Sequence, residues 1–278
     1  MKSTTPGVKE LESIAQKLRV AIVDMIHQAG SGHAGGSLSL CEILSVLYYM
    51  ELNVDPGNPQ DPERDRFILS KGHGAPALYA ILARKGFFPE EYLWTLRKIG
   101  SKLQGHPDMN KVPGVDISSG SLGMGISFGI GTALGARLNG QSFRTYVVTG
   151  CGELDEGQNW EALMCAAKYR LDNLAVIVDY NKVQLDGTNE EIMPLGALER
   201  KLAAFNWHVV ECNGHDVPEL LAALKEARET EGSPTVIVAN TVKGKGVSFM
   251  EHRNEWHGKP INDEDHRKAI AELKGAQS

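Results

Sequence analysis

No stretch of the chain approaches ~18 uninterrupted apolar residues, so no transmembrane helix is expected. Residues 1–11 lack the apolar core of a signal peptide. Cysteine is scarce. Cys41, Cys151, Cys165 and Cys212 are scattered and form no C-x-x-C pair, which argues against a disulfide framework and for a reducing compartment. Basic excess is absent too: 29 Lys and Arg stand against 35 Asp and Glu, a formal net charge of −6. That balance gives no footing for nucleic acid or for a polybasic membrane surface. Repeats and linker-like breaks are also missing. The expectation is a cytoplasmic chain of 278 residues, folded as one domain over 1–278.

What the chain does have is glycine, 30 residues, or about 11% against an average near 7%. Without a collagen period, such a level points to tight turns and close approaches of backbone to a ligand. Hydrophobic residues make up 42% and charged residues 23%, enough to bury a substantial core. Leu11, Ile14, Ala15, Leu18, Ile22, Met25 and Ile26 follow helical spacing up to Gly30, and 39–52 reads as a second apolar helix. A strand at 67–69 and a helix over 75–85 follow. A further helix is expected from Pro89 to about Gly100, then a loop over 105–116 and a Gly, Ala, Ser and Ile-rich helix over 120–138. Strands at 146–148, 174–178, 207–211 and 235–241 then alternate with helices at 159–169, 196–205 and 217–229. Residues 243–259 read as a long surface loop before a polar final helix. The alternation predicts an α/β fold, a doubly wound parallel sheet with helices on both faces.

In open parallel sheets ligands sit at the carboxyl ends of strands. The strand at 146–148 runs into Gly150-Cys151-Gly152-Glu153, where two glycines let the backbone approach a phosphate in front of a helix N-terminus. Alone, this is a common βα turn. The next strand ends Asp179-Tyr180-Asn181, thirty residues beyond Cys151. One βα unit of that length brings both strand ends to one crevice, where an Asn oxygen, a backbone carbonyl and diphosphate oxygens suit Mg²⁺ or Ca²⁺. Lys243-Gly244-Lys245-Gly246 lacks the spacer and the Ser or Thr of a P-loop, and no G-x-G-x-x-G follows the first strand as a nicotinamide site requires.

The pattern resembles the thiamine diphosphate motif, and the surrounding residues narrow the resemblance to transketolase. Ser31-Gly32-His33, Lys71-Gly72-His73-Gly74, Gly105-His106-Pro107, Gly120-Ser121-Leu122-Gly123-Met124-Gly125 and Trp256-His257-Gly258 are similar to transketolase signatures and come in the same order. The resemblance covers nearly the whole chain and implies the diphosphate-binding (PP) type of thiamine diphosphate fold. It implies that His33 and His106 line the sugar site, and that His73 reaches both substrate hydroxyls and the cofactor's reactive end. His257 is implied to approach the diphosphate or substrate and to shuttle protons. Gly120, Leu122 and Gly123 are implied to lie against the cofactor, Gly152 and Glu153 to lie at its diphosphate, and Asn181 with the Val183 carbonyl to ligate the metal (Mg²⁺, or Ca²⁺ or Mn²⁺). Glu156 is implied to sit at a subunit interface that couples paired active sites. Imidazoles suit this chemistry because ketose cleavage moves protons between oxygens near neutral pH. His208 and His215, outside the motifs, are expected to be structural.

Two departures qualify the resemblance. Cys151 stands where the family has a metal-binding aspartate, and a soft thiol is a poor ligand for Mg²⁺. Glu153 or Asp155 are the substitute carboxylates within reach in sequence. One expectation is therefore cofactor binding with a rearranged or weaker metal site; the alternative is a catalytically impaired or regulatory chain of the same fold. Second, the resemblance implies the first half of a transketolase, with the pyrimidine-binding half and its activating glutamate expected on another chain. The resemblance thus implies the N-terminal subunit of a split enzyme, active with a separate C-terminal subunit, as an α₂β₂ assembly, on sugar or sugar phosphate substrates.

Overall fold

The computed structural model describes residues 6–275; residues 1–5, at the start of the segment expected to lack a leader, and 276–278 lie outside the described part. In chain order the helices are α1 (Val8–Ala29), α2 (Ala34–Leu38), α3 (Cys41–Val46), α4 (Ala75–Lys85), α5 (Gly125–Leu138), α6 (Gly157–Lys168), α7 (Asn189–Ile192), α8 (Leu198–Ala204), α9 (Val217–Glu229) and α10 (Asp263–Gly275). The strands are β1 (Arg66–Leu69), β2 (Thr145–Gly150), β3 (Leu174–Tyr180), β4 (His208–Asn213) and β5 (Thr235–Asn240), paired throughout in parallel in the order β1-β2-β3-β5-β4.

The central strands β2, β3 and β5 are continuous apolar runs, as burial on both faces demands. On one face Tyr146, Val148, Ala175, Ile177 and Ile237 pack against α1, α3, α4 and α9. On the other, Val147, Val176, Val178 and Val238 pack against α5, α6 and α8. The crossovers β2-α6-β3 and β3-α8-β4 advance across the sheet on the second face. The return from β4 to β5 runs backwards and puts α9 on the first, which is what a constant right-handed crossover requires. The reversal of direction between β3 and β5 opens a crevice at the carboxyl ends of the strands.

Local chemistry explains the boundaries. The expected stripe of α1 is buried from Leu11 to Ile26, and Gly30 ends the helix in the left-handed region, its N–H donating to the His27 carbonyl. Asp216 caps α9 by accepting from the Glu219 N–H, with Pro218 in the first turn. No helix among the described residues is long and apolar enough to cross a membrane, and the four cysteines are free thiols.

Four expected elements differ. The single helix over 39–52 is instead α3 followed by a π-helical turn (Leu47–Glu51), preceded by the short α2. Its start is broken because the Ser39 hydroxyl donates to Asp179, far away in sequence, rather than to helix backbone alone. The helix expected from Pro89 is only a 3₁₀ segment (Glu90–Thr95), where Thr95 Oγ1 bonds back to the Tyr92 carbonyl and Arg97 takes a positive φ. The glycine-rich helix begins at Gly125, not Gly120: Gly123 has a φ of 84°, and an added Cβ there would lie 2.7 Å from Glu156 Cβ. Residues 243–259 are not a surface loop throughout, since Lys243, Val247, Met250 and Trp256 are buried.

Candidate active site

The floor of the crevice is built on Asp179, which β3 places completely out of solvent. It accepts from Lys71 Nζ, Thr241 Oγ1, Ser39 Oγ at 2.7 Å and Asn181 Nδ2 at 3.1 Å. Burial pushes its carboxyl up, but the Lys71 ammonium and the two hydroxyls prevail and hold it below the usual carboxylate range. These four partners follow or precede different strands and helices, so one carboxylate draws β1, β3, β5 and the α2 region together at the strand ends.

Glu153 is a second organising group. Its Oε1 accepts from Ser70 Oγ and from the Gly123 N–H at 2.9 Å, and its Oε2 accepts from Thr149 Oγ1 at 2.8 Å and the Gly150 N–H at 3.0 Å. A carboxylate offers about four lone-pair sites, so Glu153 is fully engaged. It shapes the Gly123 turn and the end of β2 rather than standing free as a substitute ligand. Asp155 is exposed and accepts from Gln184 Nε2.

Above this floor lie the imidazoles. The rings of His73 and His257 stack with centroids 4.9 Å apart, and His33 meets them edge-on at 5.4 and 5.5 Å. His106 stands 6.3 Å from His33 at the outer edge. Burial, Arg97 and the neighbouring His106 push His33 down to about 4; burial, Lys243 and His33 push His257 down to about 3. Burial and Lys71 lower His73 well below its ordinary value, and burial with Arg97 lowers His106. All four are neutral near pH 7, and hydrogen bonds fix two tautomers. Arg97 Nη2 can only donate, so His33 Nδ1 accepts at 3.2 Å and Nε2 carries the proton. Lys243 Nζ likewise donates to His257 Nδ1 at 3.1 Å.

This cluster sets a pH dependence of folding. The unfolded chain takes up these protons near 6.5, the folded chain only near 4 and 3 for His33 and His257. Acidification therefore favours the unfolded state. Stability is expected to hold above about pH 6.5 and to fall steadily toward pH 4. Urea denaturation at pH 7.5, 6 and 5 measures this; a midpoint that stays constant over that range contradicts it.

Between floor and imidazoles is a cavity lined by Gly36, Lys71, His73, Leu122, Gly150, Cys151, Gly152, Glu153, Asn181, Val183, Gln184, Leu185, Lys243 and His257. An added Cβ at Gly36 would lie 3.3 Å from both His73 Nε2 and Lys71 Nζ, so these side chains would have to give by a few tenths of an ångström. Lys243 is 2% exposed and donates to the carbonyls of Val183 at 3.0 Å and Gln184 at 2.9 Å. Among the described residues it has no carboxylate partner. A buried cation held only by neutral acceptors, beside glycine backbone at strand ends, fits an anionic diphosphate.

The donors for a divalent cation fit less well. Asn181 Oδ1 already accepts from the Val183 N–H at 3.2 Å, and the Val183 carbonyl accepts from Lys243. Cys151 Sγ lies 3.6 Å from Asn189 Oδ1 and 3.8 Å from Asn181 Oδ1, and burial pushes its thiol up, so it is neutral. Among the described residues no three His, Cys, Asp or Glu side chains come together as a metal would need. Among the described residues a hard cation finds neutral oxygens here that already accept a hydrogen bond each, and the one lining carboxylate, Glu153, has its four lone-pair sites engaged.

Of the sequence-derived candidates, His73, His257, Leu122, Cys151, Gly152, Glu153, Asn181 and Val183 line this one cavity. His33 joins them through its rings. Gly120 packs on the His106 ring, Gly123 lies beneath the cavity on Glu153, and Glu156 is exposed outside it. His208 pairs with Glu226 at the surface. His215 donates from Nδ1 to Glu42 and accepts the Val242 N–H at Nε2, in a buried network with Arg19 away from the cavity. Both lie outside the cavity, engaged with Glu226 and with Glu42 and Val242. Lys71, Asp179 and Arg97 have no assigned role in the sequence, and Lys243 enters there only as a segment that fails the P-loop pattern. Lys71 and Lys243 stand in glycine-flanked positions just after a strand, a signal that could have found them.

Comparison with known proteins agrees with this geometry. Residues 11–276 match the family described as transketolase, thiamine diphosphate binding domain. The 6-deoxy-6-sulfo-D-fructose transketolase subunit SqwG of Clostridium sp. (strain MSTE9) is 46% identical over 95% of this chain and 96% of its own length. An apulose-4-phosphate transketolase subunit of Actinobacillus succinogenes is 44% identical, over 95% and 96%. The crystal structure of transketolase from Campylobacter jejuni superposes with a TM-score of 0.91 at 32% identity, covering 97% of this chain and 43% of that one. Against such longer transketolases the chain spans about two-fifths of the length, 40% for the human protein. The sheet order, the strand-end cavity and these matches converge on one kinship: the chain belongs to the transketolase family, as a thiamine diphosphate binding domain.

Proposed function

We propose that the chain is the N-terminal, diphosphate-binding subunit of a two-chain transketolase. It moves a two-carbon ketol unit from a ketose or ketose phosphate to an aldose or aldose phosphate. The observation that carries this reading is the group of neutral imidazoles, His33, His73 and His257, packed around a glycine-lined cavity with a buried ammonium. Bound thiamine diphosphate supplies the carbanion stabilisation. The chain's own side chains do the rest. Lys243 meets the diphosphate charge, and Gly36 and Gly152 let it approach the backbone. His33, with its proton on Nε2, donates to a sugar oxygen. His73, neutral at pH 7, accepts a proton from a sugar hydroxyl and returns it, while His257, whose Nδ1 is taken by Lys243, donates to a sugar oxygen from Nε2. Burial of these rings keeps water from the fragment being transferred.

Two relatives named as transketolase subunits support a separate partner chain, and an α₂β₂ assembly in the cytoplasm is the form proposed here. The outer side of α5 supports it as well. That helix is apolar around its circumference, yet Phe128 and Leu138 are exposed, Gly131 and Gly135 face open space, and Met124 and Glu156 lie at its start. A helix of that composition is ordinarily covered. One folded domain over 1–278 is proposed to contribute this face. The divalent cation implied by family resemblance has no part in this reading, because the donors do not suit it.

The expected result is no ketol transfer by the purified chain alone, and transfer once a chain resembling the pyrimidine-binding half is added, followed by chromatography of the sugars formed. Transfer by the chain on its own would sink the two-chain reading.

A further inference from the structure

Position 151 is where family resemblance expects a carboxylate. A carboxylate there would face a polyanionic cofactor, and the two could coexist only with a divalent cation between them. The side chains around the cavity are arranged for a different charge balance. Cys151 is 2% exposed and neutral, among the amide oxygens of Asn181 and Asn189. Lys71 and Asp179 cancel each other in a fully buried pair. Glu153 is saturated by four donors, and Asp155 is turned to Gln184 at the surface. Among the described residues one formal charge faces the cavity without a counter-charge, the Lys243 ammonium. It sits on the Val183 carbonyl, the backbone oxygen expected to ligate the metal, while Asn181 Oδ1, the expected side-chain ligand, accepts from the Val183 N–H.

We propose that this chain meets the charge of the diphosphate through Lys243 in place of a protein-bound divalent cation, so that its affinity for thiamine diphosphate barely depends on Mg²⁺. The inference rests on the cofactor reading above and concerns only how the diphosphate is neutralised. Loss of the carboxylate and loss of the metal requirement are then one change. Removing a negative charge at position 151 removes the repulsion that a cation would have had to overcome.

Calorimetric titration of thiamine diphosphate into the chain assembled with its pyrimidine-binding partner subunit, in Mg²⁺ and in EDTA, tests it with wild type, Cys151→Asp and Lys243→Met of this chain. Wild-type affinity is expected to change less than about tenfold between the two conditions, whereas Cys151→Asp weakens by more than about tenfold in EDTA and recovers in Mg²⁺. Lys243→Met is expected to weaken binding by about tenfold or more in both conditions, as loss of a charge-assisted contact to an anion does. Thermal melting checks that each variant folds, and the first two proteins carry the test if Lys243→Met does not. A wild-type affinity that drops more than about tenfold in EDTA, or a Cys151→Asp protein as indifferent to Mg²⁺ as the wild type, overturns the inference and leaves the cofactor reading standing. Absence of binding by wild type and Cys151→Asp in both conditions overturns both.

Discussion

Lys71→Met is expected to destabilise the fold by about 3–5 kcal/mol, the cost typical of stripping one partner from a buried ion pair. Lys71 and Asp179 have side-chain exposures of 2% and 0%. Methionine preserves the aliphatic stem but removes the charge that outweighs burial of the carboxylate, and it also releases the Gly36 carbonyl, which accepts from Lys71 Nζ at 2.8 Å. Ser39, Thr241 and Asn181 remain as donors, so Asp179 keeps its hydrogen bonds and loses its counter-ion. A domain has only about 5–15 kcal/mol in total, so the loss is a large share of stability and corresponds to a fall in melting temperature of roughly 10 °C. The double variant Lys71→Met/Asp179→Asn is expected to regain part of it, because the orphaned charge is gone. Urea denaturation of the single and double variants measures both effects. A single-variant loss under about 1 kcal/mol would show that the pair is not what holds the strand ends together.

His73→Ala is expected to lower ketol transfer by the assembled enzyme by about 10²–10⁴-fold, the range for removal of a positioned proton-transfer group. The ring lies deepest of the imidazoles, against both the cavity and His257. Folding is expected to suffer little, since no side-chain hydrogen bond of His73 holds the floor; the floor rests on Asp179 and Glu153. The distinguishing readout is a fall in kcat at saturating substrate with thiamine diphosphate affinity retained. Loss of cofactor binding with kcat unchanged would make His73 a packing residue instead.

Much of the architecture is readable in the sequence because it depends on near neighbours. The buried stripe of α1, the apolar runs of β2, β3 and β5, and the Gly30 cap are local patterns that burial and backbone geometry impose directly. The histidines are readable through motifs of glycine and imidazole that span nearly the whole chain. What escapes depends on partners distant in sequence. Ser39 breaks its helix for the sake of Asp179, and nothing near Ser39 announces that. Gly123 turns because Glu153 accepts its N–H, so the expected helix starts late. Lys243 reads as part of an exposed loop because glycine and lysine look solvated in one dimension, whereas its ammonium is buried on the Val183 carbonyl. Arg97, whose guanidinium fixes the His33 tautomer, lies in a segment expected to be plain helix.

The order β1-β2-β3-β5-β4 also has a kinetic meaning. The cavity takes Gly36 from near the start of the described chain and Lys243 and His257 from near its end, and Asp179 is satisfied only when β5 is docked beside β3 and β1 is in place beyond β2. Parallel pairings of this span close large loops before they yield any contact energy, so they form slowly. The cofactor cavity therefore cannot exist in a partly folded chain: it arises with the docking of β5 and of the segment that follows it. Any premature end before Thr241 leaves Asp179 without that hydroxyl and the diphosphate without Lys243, and a nascent chain on the ribosome gains its binding site among the last of its native features.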